Sequence, residues 1–191
     1  NSEMWERGTS TIYRSIGKFI VKFETVCYSI RNCIIFILDG AGLKDQRISH
    51  VLLASLTVDS LKNVFENLVK VTQGLDDDEQ KILRNILIRF QKLTEERNTI
   101  IHSTWFIGYG NENTIDYSEA SGFKLNKNAK GETLRFNQIN AKNIDKLTEE
   151  AETLSTLFLR LNGCFILKVR LTTDRVLNKE NFVTFPDNST R

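Results

Sequence analysis

An arginine and a histidine stand five residues apart in the stretch EERNTIIHSTWF, residues 95–106. Arg97 stays charged at any physiological pH and can clamp a phosphate through two parallel N–H donors. His102, one of two histidines in the chain, titrates near neutrality and can pass a proton as general base or acid. Asn98 could hold the imidazole or a phosphate oxygen. Together these groups suit attack of an RNA 2′-hydroxyl on the adjacent phosphate, a cleavage that needs no metal. On a regular helix Arg97 and His102 point about 140° apart, whereas Asn98 and His102, four apart, share a face. Arg97 and His102 therefore converge only if the helix end changes course or a second chain supplies the other half. Two sets across a two-fold axis would provide acid, base and charge stabilisation. The plainer reading is that a histidine in a last helical turn serves the free carbonyls and the C-terminal dipole, with Arg97 paired to an acid.

The elements that must position these residues are helices. Ile82, Leu83, Ile86, Leu87, Phe90, Leu93, Arg97, Ile100 and Ile101 recur at steps of three and four, which predicts a long helix closed by the Arg/His stretch. Asp76 with Glu79 three residues later forms a capping box at its start. Arg97 occupies a stripe position, so it demands a partner or a polar groove. An earlier stripe, from Ile12 through Phe19, Phe23, Cys27, Ile30 and Ile34 to Ile37, predicts a helix over 11–38 that the DGAG of 39–42 breaks. Shorter helices are expected over 45–56 and 57–72, the latter ended by Gly74. Short strands are expected at 104–110, 122–126 and 133–137, separated by Asn- and Gly-rich turns. Ile144 to Phe165 restores the helical period over 141–168. The fold class is therefore mainly α: a bundle of about five helices with a small antiparallel hairpin or meander inserted before the last long helix. Residues 1–170 read as a single helical domain with its β insertion at about 104–137. Residues 171–191 read as a polar C-terminal tail.

Composition narrows the function classes. The 191-residue chain is 40% hydrophobic and 26% charged, the balance of a globular domain. Its formal net charge of +2 is too small to announce a nucleic-acid binder, so any basic footprint must be local. One local cluster exists: FKLNKNAKGETLRF, residues 123–136, carries Lys124, Lys127, Lys130 and Arg135 against Glu132, flanked by Phe123 and Phe136. These cations could track an RNA backbone while the rings stack bases. The competing reading is a solvated turn with edge lysines that discourage aggregation. Trp105 and Phe106 read as core or interface residues, with base stacking second. His50 reads as a surface residue, with a second base as the minor alternative. The acids Asp76, Asp77, Asp78 and Glu79 point in different directions around a helix start, so capping explains them better than a metal. Cys27, Cys33 and Cys164 have no metal-ligand spacing and read as buried reduced thiols. No metal or cofactor is called for. CIIFIL, residues 33–38, is too short to span a bilayer, no secretory signal is visible, and a cytoplasmic location is expected, with no membrane partner.

RNTIIH, residues 97–102, resembles the signature of the HEPN superfamily: an arginine, a polar residue, a few more residues, then a histidine. It falls at the end of a long bundle helix, where that family carries it. The resemblance implies a helical bundle that dimerises, with two motifs meeting in a cleft, and a metal-independent ribonuclease of toxin–antitoxin or phage-defence type. Arg97, Asn98 and His102 would take the catalytic positions. The implied partners are a second copy of the chain, an RNA substrate, and an antitoxin or regulatory protein. Other members of the family are non-catalytic binding modules, which is the alternative. One toxin branch carries Tyr two residues after the histidine. Thr104 stands there, so modification of that tyrosine by an antitoxin is not implied.

Overall fold

A computed structural model describes residues 2–108, 116–128, 131–172, 177–179 and 182–184. Among these the chain is mainly α, with helices α1 (Ser2–Gly40), α2 (Gln46–Ala54), α3 (Val58–Thr72), α4 (Asp77–His102) and α5 (Ala141–Leu167). Strands β1 (Thr104–Ile107), β2 (Glu119–Asn128) and β3 (Gly131–Asn140) lie between α4 and α5, and β4 (Leu177–Lys179) and β5 (Phe182–Thr184) follow α5. The expected class, helices with a small antiparallel sheet before the last long helix, is the observed one. No helix among the described residues is long and apolar enough to cross a membrane.

Local chemistry sets the helix boundaries. Asp45 caps α2 by accepting from the Arg47 N–H, and Thr57 caps α3 by accepting from the Ser60 N–H. Gly74, with φ of +57°, takes the left-handed conformation that closes α3. The capping box of α4 forms as its spacing predicts. Asp76 Oδ1 accepts from the Glu79 N–H at 2.9 Å, and Glu79 Oε2 accepts from the Asp76 N–H at 3.1 Å. α1 reaches back to Ser2, well beyond its apolar stripe, because its first turns are solvent-exposed helix formers such as Glu3, Met4 and Arg7 that need no buried face.

β2 and β3 run longer than the sequence pattern suggests, while β1 stops at Ile107, and residues 109–110 of the strand expected there lie outside the described residues. β1, β2 and β3 form an antiparallel sheet in that order. Thr104 pairs with Phe123 and Ile107 with Ala120, while β2 and β3 pair from Glu119↔Asn140 to Asn128↔Gly131. Polar ends such as Glu119 and Gln138–Asn140 join because backbone pairing, not side-chain period, recruits them. β4 and β5 pair with each other.

The chain divides into two compact units, Asn1–Phe23 with Leu93–Ala151, and Glu24–Lys92 with Glu152–Arg191. In the second unit Phe65 and Phe90 both meet Phe158 edge to face, at 5.5 and 5.9 Å between ring centroids, a geometry worth about 0.5–1.5 kcal/mol per pair beyond burial. Ser29 and Ser155 share a buried hydrogen bond, and the Cys33 thiol donates to the Phe158 carbonyl. Burial pushes the Cys33 thiol up to about 12, so it remains a protonated core residue. Cys27 and Cys164 are likewise buried, and neither forms a disulfide among the described residues. In the first unit Ile12, Phe19, Phe23, Leu93, Ile100, Ala120 and Ile144 are buried. This unit holds the end of α4 and the sheet.

Candidate active site

The last turns of α4 lead into β1 with one residue between them, Ser103. A helix ends with carbonyls that lack intrahelical donors. Here two neighbouring side chains supply the donors. Ser103 Oγ donates to the Thr99 carbonyl at 2.7 Å, and Trp105 Nε1 donates to the Ile100 carbonyl at 2.7 Å. The indole is held in turn by β2. A Cβ on Gly122, its register partner, would lie 2.4 Å from the Trp105 ring. Only glycine lets the ring lie flat against the strand. Trp105 therefore fastens the sheet to the helix end.

Capping by Ser103 and Trp105 leaves His102 unused for that purpose. Its side chain is exposed, and no hydrogen bond holds the imidazole to another described residue. Arg97 and Asn98 are half-buried one turn earlier. Arg97 Nη1 donates to Asn98 Oδ1 at 3.2 Å, and the guanidinium lies over the Phe23 ring, 5.6 Å from its centroid. Cation–π packing makes a charged group tolerable on an otherwise apolar stripe. Lys124 of β2 reaches the same place, with Nζ 3.4 Å from the Asn98 carbonyl.

Of the residues singled out for chemistry, the fold thus gathers Arg97, Asn98 and Lys124, with His102 one turn on. Lys127 and Arg135 fall on β2 and β3, in register with Glu132 and Lys124 respectively. Lys130 lies outside the described residues. His50 is exposed on α2. Of the acids at the start of α4, Asp76 and Glu79 are engaged in capping and Asp78 pairs with Lys81, and the described residues contain no group of three His, Cys, Asp or Glu able to hold a metal.

Sequence reasoning did not foresee the link from Lys124 to Asn98, which crosses 26 residues and depends on register. It named Phe123 and Phe136 but not the row that they form with Phe106 on the opposite side of the sheet. Phe106 meets Phe123 edge to face at 5.9 Å, and Phe123 meets Phe136 at 5.1 Å.

Compared with protein-family profiles, curated proteins and solved structures, the chain matches none.

Proposed function

We propose that this protein is a metal-independent endoribonuclease of HEPN type, working in phage defence or a toxin–antitoxin system as a homodimer. His102 acts as general base or acid, Arg97 and Lys124 neutralise the phosphate, and Asn98 orients the arginine. The observation that carries the reading is the division of labour at the end of α4. Ser103 and Trp105 satisfy the Thr99 and Ile100 carbonyls, and His102 is left exposed one turn beyond Asn98, on which Arg97 and Lys124 converge. Two cations gathered at Asn98, one on its side-chain oxygen and one on its backbone carbonyl, favour an anionic ligand. One imidazole supplies either acid or base, so a second copy completes the pair. The expected products carry 2′,3′-cyclic phosphate and 5′-hydroxyl ends, formed without added divalent metal. Incubation of the protein with total RNA beside His102→Ala tests this. Cleavage that survives the substitution removes His102 from the mechanism.

A second reading is a non-catalytic interaction module of the same family. Its support is the stacking of Arg97 over Phe23, a use of the arginine that needs no substrate. In that case Arg97→Ala lowers the melting temperature and no RNA-cleaving activity accompanies the wild type.

A further inference from the structure

The first turns of α1 present a groove on the side turned away from the core. Trp5, Thr9 and Tyr13 form one row along the helix, and Glu6, Ser10 and Arg14 form the next, each at steps of four. An open groove of about 580 Å³ runs along these six residues. Its two rings are exposed, Trp5 by 47% and Tyr13 by 60%. No hydrogen bond or ion pair with a described residue engages the side chains of Trp5, Glu6, Tyr13 or Arg14. The helix is nevertheless held in place here. Ile12 is buried, and Gly8 lies so close to the residues before β2 that a Cβ on it would come 2.3 Å from the Tyr117 carbonyl oxygen. The fold thus fixes this face of α1, and the described residues leave it uncovered. Exposed aromatic rings grouped with polar neighbours mark a contact surface.

We propose that this face binds the same face of a second copy, with the two α1 helices antiparallel about a two-fold axis between Thr9 and Ser10. The six residues are symmetric about that point. Trp5 exchanges with Arg14, Glu6 with Tyr13, and Thr9 with Ser10. A helix turns about 100° per residue, so the point midway between residues 9 and 10 also lies at the centre of the groove. A two-fold contact sets each residue against its exchange partner, and here every exchange is complementary. The Arg14 guanidinium can lie on the Trp5 ring, the aromatic face that attracts a cation most strongly. The Glu6 carboxylate can accept from the Tyr13 hydroxyl. Thr9 and Ser10 are small, which lets the helices close at the crossing. Each pairing occurs twice. A parallel arrangement would set Glu6 against Glu6 and Arg14 against Arg14, and like charges resist it. Other occupants fit less well. Glu6 in the middle of the face repels the phosphates of a nucleic acid or an anionic bilayer, and an unrelated protein would need no such symmetry. The inference goes beyond the ribonuclease reading, which asks for a second copy without saying where it binds. It is argued from α1 alone.

Sedimentation velocity across a range of protein concentrations tests the contact. The wild type is expected to pass from monomer to dimer as concentration rises. Trp5→Ala and Arg14→Glu should each weaken association about 10-fold or more. Both positions are exposed, so thermal melts of the variants should match the wild type. Mild oxidation reads the register. Thr9→Cys chains mixed with Ser10→Cys chains should cross-link faster than either variant alone, because exchange partners lie closest to each other and the native cysteines are buried. A chain that stays monomeric at every concentration overturns the proposal, as does a dimer that both variants leave unchanged. So does cross-linking of either cysteine variant as fast as the mixture, or a monomeric wild type that binds phosphatidylserine vesicles through Trp5. RNA cleavage measured alongside separates this inference from the enzyme reading. A Trp5-dependent dimer that cleaves no RNA keeps the contact and removes the ribonuclease. Cleavage by a chain that Trp5→Ala leaves dimeric does the reverse.

Discussion

The two ends of α4 spend their polar residues in different ways. At the N-terminal end every acid with a structural task has its partner in the chain. Asp76 and Glu79 cap one another's N–H groups, Arg170 pairs with Asp76, and Glu79 Oε1 accepts from the Leu171 N–H at 2.8 Å. Glu79 is 7% exposed, so its carboxylate works in a poorly solvated setting where an unmet bond is expensive. At the C-terminal end the capping is done by Ser103 and Trp105, neither of which is charged, and the ionisable residues stand aside. His102 faces solvent, and Arg97 and Lys124 converge on Asn98. Polar side chains that a fold uses are recognised by their partners. A titratable side chain left exposed with no such bond, as His102 is among the described residues, is a candidate for chemistry.

Substitution at the two ends should therefore separate activity from stability. The largest effect is expected at the C-terminal end. His102→Ala should lower RNA cleavage about 10²- to 10⁴-fold, the usual contribution of a general acid or base. Its melting temperature should match the wild type, because the imidazole makes no contact that folding needs. A parallel loss of stability would mean that His102 belongs to the framework after all.

The converse is expected of Glu79→Ala. It removes a capping-box carboxylate and strands the Leu171 N–H, a combined loss of about 2–4 kcal/mol. For a chain of this size that lowers the melting temperature by roughly 5–15 °C. Cleavage per folded molecule should be unchanged. Glu79→Gln keeps only one of the two acceptors and should recover no more than about half of the loss, which circular-dichroism melts of the two variants will show.

These ends also differ in how legible they were. The capping box follows from Asp76 and Glu79 being three residues apart, a local rule that no tertiary context disturbs. Gly74 closing α3 was readable for the same reason. The long helices announced themselves by period, with Phe90 and Leu93 buried as expected. At the C-terminal end the motif residues could be named, but their company could not. Lys124 meets Asn98, and Trp105 lies on Gly122, only because β2 pairs with β1 in one register. A shift of one residue would turn Lys124 to the other face. The row of phenylalanines was half visible for a related reason. Phe123 and Phe136 flank a hairpin, but Phe106 joins them through pairing between strands that the sequence separates.

The join between sheet and helix offers a smaller perturbation. Gly122→Ala adds a Cβ that would lie 2.4 Å from the Trp105 ring. The indole must then shift and weaken its bond to the Ile100 carbonyl. Overpacking of this kind costs about 1–3 kcal/mol. Cleavage should fall more than stability does, since β1 carries the stretch directly after His102. A melt combined with Trp fluorescence measures the first effect, and cleavage at saturating RNA the second. Full activity in a destabilised Gly122→Ala would separate the sheet from the site.

The smallest effect on folding is expected from Lys124→Met, and it bears most directly on the contrast between the two ends. The Lys124 ammonium lies 3.4 Å from the Asn98 carbonyl, a long hydrogen bond on a half-buried side chain. Methionine keeps most of the apolar stem that packs along the strand and removes only the charge. The carbonyl retains its place in the helix ladder, so stability should change by less than about 1 kcal/mol. A lysine that serves only the fold would show nothing further. A lysine that meets phosphate beside Arg97 raises KM and flattens the salt dependence of RNA binding, because one fewer counterion is released on association. Affinity measured across a series of salt concentrations therefore reads the role of Lys124 without reference to turnover. An unchanged slope would return Lys124 to the framework and leave Arg97 as the phosphate-binding cation at this end of α4.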